Sequence, residues 1–156
     1  VTLILRSPPL IDGGGVTTRG LFECGPKPAI HLGSAATAPG VRDTVLAHEL
    51  VHWYVARTGS TLPHLAEESL AWFVGLLFAP PGSLQRRMAE LDELGIEADP
   101  AVLWLRHEDV VSLAEPERSR VCLVAFATAR KIGFERIFKA AAEGQASVDA
   151  LFAASR

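Results

Sequence analysis

His48, Glu49 and His52 stand in the run His48-Glu49-Leu50-Val51-His52, two imidazoles four residues apart with a carboxylate beside the first. Residues four apart on an α-helix lie one turn above one another on one face, so both imidazoles reach a common ion while Glu49 projects about 100° away. A catalytic zinc binds neutral imidazole nitrogens, keeps one coordination position open for water, and acidifies that water enough for a neighbouring carboxylate to take its proton. The spacing makes His48 and His52 candidate metal ligands and Glu49 a candidate general base for hydrolysis. The competing explanation is a metal-free helical interaction module whose histidines are ordinary core residues. Two imidazoles on one face of a run of Val, Leu and Ala, flanking a carboxylate, argue against it.

Such a site needs one helix to carry the pair and a second element to bring a third ligand. The pattern over residues 41–57 predicts the first helix, with Asp43 in its first turn and Arg57 in its last, both favourable to the helix dipole, and Gly59 as its stop. Ser60-Thr61-Leu62-Pro63 supplies candidate caps for a second helix over 64–79, ended by Pro80-Pro81-Gly82. Near its start Glu67 and Glu68 each offer a carboxylate, and either is otherwise a first-turn acid at a helix N-terminus.

Upstream, strands are expected over 1–5, 20–24 and 29–32, the first ended by Pro8-Pro9 and followed by a turn at Gly13-Gly14-Gly15. No Lys-Ser/Thr follows these glycines, which excludes a phosphate loop. Pro26, Pro28 and Gly33 mark 29–32 as an edge strand, and Thr37-Ala38-Pro39-Gly40 leads from it into the histidine helix. A sheet edge beside a metal pairs readily with an extended peptide, so a substrate is expected along Ile30 to Leu32, with His31 at the surface. Downstream, helices are expected over 83–94, 116–131, 134–143 and 147–154, the last capped by Ser147, with Asp99-Pro100 opening a further segment to Arg106 that buries Trp104. Strands first and helices after, without an internal repeat, predict an α+β fold. Its small N-terminal antiparallel or mixed sheet precedes the active-site helix and a mostly helical C-terminal half, in a single domain over 1–156.

The 156 residues are 49% hydrophobic and 21% charged with a formal charge of −3, ordinary for a globular domain and without the basic surface that nucleic acid requires. A chain of this size buries enough core to fold without a structural metal or a disulfide. The longest apolar run, over 70–79, is half the roughly 20 residues needed to cross a bilayer, so no membrane span is expected. The start of the chain has no signal-peptide pattern, since Arg6, Pro8 and Pro9 follow five apolar or β-branched residues; a trimmed or mature chain fits the initial Val1, and the compartment stays open. Cys24 and Cys122 allow one disulfide in an oxidising compartment and form neither a redox motif nor a metal-ligand cluster.

Beyond its His-Glu-x-x-His run, the chain resembles the gluzincins, zinc metallopeptidases whose third ligand is a Glu on the helix after the histidine helix. It is most similar to the small bacterial peptidase MA-like (minigluzincin-like) members, in which that helix reads Glu-Gly-x-Ala-x-Tyr. Here the matching run is Glu68-Ser69-Leu70-Ala71-Trp72-Phe73. The resemblance implies a zincin-like fold, zinc-dependent hydrolysis of peptide or protein substrates, one catalytic zinc ion, and Glu68 as the third ligand, sixteen residues past His52. Moving the register by one puts Glu67 in that place but spoils the match at Ala71 and Phe73. The tail, including Phe126, Gly133-Phe134-Glu135-Arg136-Ile137 and Glu143-Gly144-Gln145-Ala146-Ser147, is similar to the closing helices of these peptidases, so the resemblance spans residues 28–154.

Two departures bear on catalysis. Ser69 stands where the family has Gly, and Glu117-Arg118-Ser119-Arg120 lacks the Tyr that members often carry at the start of a late helix. The oxyanion donor is therefore unassigned. Tyr54 lies six residues past His48, about 240° round the helix, a poor position for it. His64 and His107 are expected as surface or capping residues, with His107 the candidate transition-state donor. The alternative function is a catalytically weak or inactive zincin scaffold that serves as a metal-containing binding or regulatory domain.

Overall fold

The computed structural model describes residues 1–6, 10–11, 17–18, 20–33, 36, 38 and 40–153. Pro8, Pro9, the predicted turn at Gly13-Gly14-Gly15, the lead-in residues Thr37 and Pro39, and Ala154 at the end of the last predicted helix lie outside them. Aliphatic and β-branched residues form β1 (Thr2–Arg6), β4 (Gly20–Glu23) and β5 (Ala29–Gly33), while β2 (Leu10–Ile11) and β3 (Thr17–Thr18) pair with each other as a separate antiparallel ribbon. The three-stranded sheet has the order β1-β5-β4. β5 runs parallel to β1, with Ile30 beside Leu3, and antiparallel to β4, with Gly20 beside Leu32 and Phe22 beside Ile30.

This order corrects the expected edge: β5 is the central strand. Pro26 and Pro28 precede the ladder and remove no hydrogen bond from it, so they do not exclude a central position. An extended peptide therefore finds no free edge at Ile30 to Leu32, whereas β4 is paired on one side only among the described residues. His31 is also corrected. It is buried, with 4% of its surface exposed, and its Nε2 lies 2.9 Å from Glu23 Oε2 on the neighbouring strand.

Helix α1 (Val41–Thr58) ends as its sequence predicts, at Gly59, whose φ of 72° suits a residue without a Cβ. Ile30 and Leu32 on β5 pack with Ala36 against Phe22, Val45 and Leu46, seating α1 on one face of the sheet. Helix α2 (His64–Leu77) stops two residues before the expected end, and its N-cap is Pro63. Ser60 and Thr61 do not cap it. Ser60 Oγ donates to the Ala141 carbonyl at 2.9 Å, and the Thr61 N–H donates to Gln145 Oε1 at 2.7 Å. The connection is thereby tied to the far end of the chain.

The rest is helical: α3 (Ser83–Glu93), a 3-10 turn (Pro100–Trp104), α4 (His107–Val111), α5 (Glu117–Ile132), α6 (Phe134–Glu143) and α7 (Gln145–Phe152). Asp99 caps the 3-10 turn by accepting from the Ala101 N–H at 3.0 Å. Trp104, expected in the core, keeps 36% of its surface exposed, with its ring edge towards Phe152. The N-cap of α7 is Gly144, not Ser147, because α7 starts directly after this glycine, whose φ of 107° ends α6. Leu65, Ala66, Leu70 and Ala71 of α2 pack with Val55 of α1 and with Leu103, Ile137 and Phe152 in one core. The architecture is α+β, a small mixed sheet followed by helices. No helix among the described residues is long and apolar enough to cross a membrane.

Candidate metal centre

One turn of α1 separates His48 from His52, and their Nε2 atoms face each other at 3.2 Å. Glu68 enters from α2, with Oε2 at 3.5 Å from His48 Nε2 and Oε1 at 3.5 Å from His52 Nε2. A tetrahedral ion with bonds of about 2.0–2.1 Å separates its ligand atoms by about 3.3 Å. The separation of the two Nε2 atoms matches that edge length, and each imidazole has one Glu68 oxygen at a similar distance. Two imidazole nitrogens with lone pairs and a carboxylate oxygen form a donor set that a divalent cation satisfies. It is the one group of at least three His, Cys, Asp or Glu donors this close together among the described residues.

Glu67, the alternative ligand, does something else. Its Oε1 lies 2.8 Å from His52 Nδ1, so that nitrogen donates to Glu67 and the lone pair on Nε2 is aimed at the centre. Burial pushes the His52 pKa down, but the Glu67 hydrogen bond and the charges of Glu68, Glu67 and Glu49 outweigh it and hold the ring up at about 9. Burial also opposes ionisation of Glu68, yet the His48 bond and the charges of His52, His48 and His64 hold it down at about 2. Without a metal, a protonated imidazole balances the carboxylates. His48 has no counterpart to Glu67, since its Nδ1 is buried without a hydrogen-bond partner.

Glu49 lies beside the pair, 6% exposed. Burial raises its pKa, against the lowering effects of His48, His52 and the Phe22 backbone amide. A carboxylate raised in this way is a better proton acceptor than an exposed one.

The centre opens into a cleft of about 560 Å³ whose walls include Leu21 of β4, Trp72 of α2 and Cys122 of α5. A second, more apolar hollow of about 440 Å³ shares His48, Glu49 and Trp72 and is lined by Val41, Val45, Ala79 and Pro80. Trp72 is 51% exposed and meets the His48 ring edge to face, with ring centroids 5.1 Å apart. His64 and His107, expected as surface or capping residues, are half-buried and exposed respectively and both line the cleft, their rings perpendicular at 5.5 Å between centroids. Burial lowers the His64 pKa. His64 was within reach of sequence reasoning because it stands four residues before Glu68, on the same face of α2. His107 carried no such signal, because tertiary folding alone brings α4 to the cleft.

Tyr54 stacks on Phe138 at 4.8 Å and does not line the cleft. Ser69, the departure beside Glu68, donates its hydroxyl to the Leu65 carbonyl one turn back at 2.6 Å. Cys24 and Cys122 are both free and exposed, and both line the cleft. No protein-family model matches this chain, and no curated protein or solved structure matches it significantly.

Proposed function

We propose that the protein is a zinc metallopeptidase of the gluzincin type, with a zincin-like fold, in which His48, His52 and Glu68 hold one zinc ion and Glu49 is the general base. The observation that carries this is the convergence of the donors, two Nε2 atoms 3.2 Å apart with a different Glu68 oxygen 3.5 Å from each, and a buried carboxylate beside them. When bound, zinc supplies a Lewis acid for the scissile carbonyl and lowers the pKa of a water. Glu49 takes the proton of the attacking water on its carboxylate and returns it to the leaving amine. Glu67 keeps His52 in the tautomer that presents Nε2. His107 and His64 supply imidazole N–H groups on the cleft wall, where a developing oxyanion needs donors. Among the described residues no strand pairs with the outer side of β4, where an extended peptide can lie alongside, and the hollow beside Trp72 accepts an apolar side chain.

The test is a comparison of the zinc-loaded protein with Glu49→Gln on a mixed peptide library. Near-stoichiometric zinc in both proteins is expected, with cleavage by the variant slower by about 10²- to 10⁴-fold. Equal cleavage by both, or none by either, removes the catalytic proposal, and failure to take up zinc removes the metal as well. A second function, a zincin scaffold that keeps its metal and binds without cleaving, is favoured by one observation: the single Tyr, Tyr54, stands outside the cleft. Its signature is full zinc occupancy, retained peptide binding and no turnover.

A further inference from the structure

Gly20 is the first residue of β4 and lies opposite Leu32 on the sheet face that meets α1. A Cβ built on it would stand 2.6 Å from Glu49 Oε1, 2.6 Å from Val45 Cγ1 and 2.9 Å from Glu49 Cγ. These are distances that real Cβ atoms do not adopt, and both partners belong to the helix that carries the histidines. Two residues on, the Phe22 backbone amide lies near enough to the same carboxylate to favour its charged form, on a strand with no second neighbour among the described residues. Glu49 is thus approached from one side by a strand backbone that has no side chain at Gly20 and an amide within electrostatic reach at Phe22. A surface acid needs neither feature. Gly25, in the loop after β4, has nothing within 4 Å of its Cβ position, so the crowding at Gly20 is not shared by the neighbouring glycine.

We infer that Gly20 is a positioning residue for Glu49: its missing side chain lets β4 approach closely enough for the Phe22 N–H to hold the carboxylate beside the metal centre. This rests on the role proposed for Glu49 but is testable without turnover, because the hydrogen bond it invokes is on an assignable amide.

The experiment compares wild type, Gly20→Ala, Glu49→Ala and the control Gly25→Ala, each loaded with zinc and checked for metal content and thermal stability. The first readout is the ¹H–¹⁵N resonance of the Phe22 amide. It is expected downfield in wild type and Gly25→Ala, and shifted upfield together in Glu49→Ala and Gly20→Ala. The second is steady-state cleavage, where Gly20→Ala should lose about 10²-fold in kcat with KM within about twofold, as loss of a group acting in the transition state requires. A folded, zinc-loaded Gly20→Ala with the wild-type amide position overturns the inference. So does a Phe22 amide that is the same in wild type and Glu49→Ala. Should Gly20→Ala not fold, Gly20→Ala/Val45→Ala removes the collision with Val45 and keeps the one with Glu49, and the same outcomes apply. An amide that behaves as expected in a protein with no turnover sinks the peptidase proposal alone; cleavage unaffected by the Gly20 substitution sinks the positioning role alone.

Discussion

Glu67 and Glu68 are adjacent in sequence, yet the turn of α2 sends one to the far nitrogen of His52 and the other between both imidazoles. Their truncations should separate accordingly. Glu68→Ala removes one of the three proposed ligands and should abolish tight zinc binding, whereas Glu67→Ala leaves all three and should weaken it about 10- to 100-fold, the usual loss for an orienting partner. Competition with a chromophoric chelator measures both, and the reverse order would exchange the two assignments. The titrations at the same site give a pH dependence. In the metal-free chain the folded pKa of His52 is raised from 6.5 to about 9, so its stabilisation is full below pH 6.5 and is lost as pH rises to about 9. Glu68 is lowered from 4.5 to about 2, so its contribution is full above pH 4.5 and is lost as pH falls to about 2. Melting without metal should therefore be highest between about pH 4.5 and 6.5. Zinc must displace the His52 proton, so the zinc-induced rise in Tm should grow from pH 6.5 to 9, and a rise that shrinks over that range contradicts the site.

Between elements, the distance that matters is the one from α1 to α2, because it sets Glu68 against the histidines. Gly75 holds it: a Cβ there would lie 2.9 Å from the Thr44 carbonyl and 3.5 Å from His48 Cβ. Gly75→Val should push the helices apart, destabilise the fold by about 1–3 kcal/mol, and weaken zinc binding more than an equally destabilising change far from α1. Leu103→Ala in the core is a suitable comparison, and equal zinc affinity in the two variants would deny Gly75 this role. How much of this was legible in the sequence depended on how local the cause is. The extent of α1 was readable to within one residue, because periodicity and the stop at Gly59 lie within the segment. The pairing of β5 with β1 was not, because hydrogen bonding between distant strands leaves no mark on either. Ser60 and Thr61 have the right chemistry for caps, but Ala141 and Gln145, more than 80 residues away, take their hydrogen bonds. The acidic residue left over from ligand choice, Glu67, looked like a helix-terminus charge until the fold placed His52 beside it.

Across the whole molecule, the candidate metal centre is accompanied by two buried clusters that contain none of its donors. Ile30, Leu32 and Ala36 hold the sheet to α1, and a larger core centred on Leu70, Leu103, Ile137 and Phe152 joins α1 and α2 to the closing helices. A zinc finger depends on its metal and unfolds when it is removed; here hydrophobic burial sustains the fold, and the proposed ion would add to it by mass action. The size of that addition follows from linkage. At free zinc 100-fold above the dissociation constant, binding to the native state contributes about 2.7 kcal/mol. For a chain of 156 residues, about 2–4 °C per kcal/mol makes this a rise in Tm of about 5–11 °C. Chelation should therefore lower Tm by that amount while leaving the far-ultraviolet circular dichroism at 25 °C and the cooperativity of melting unchanged. Loss of helical signal on chelation would make the ion a structural staple, and the carboxylates around His52 would then serve folding before chemistry.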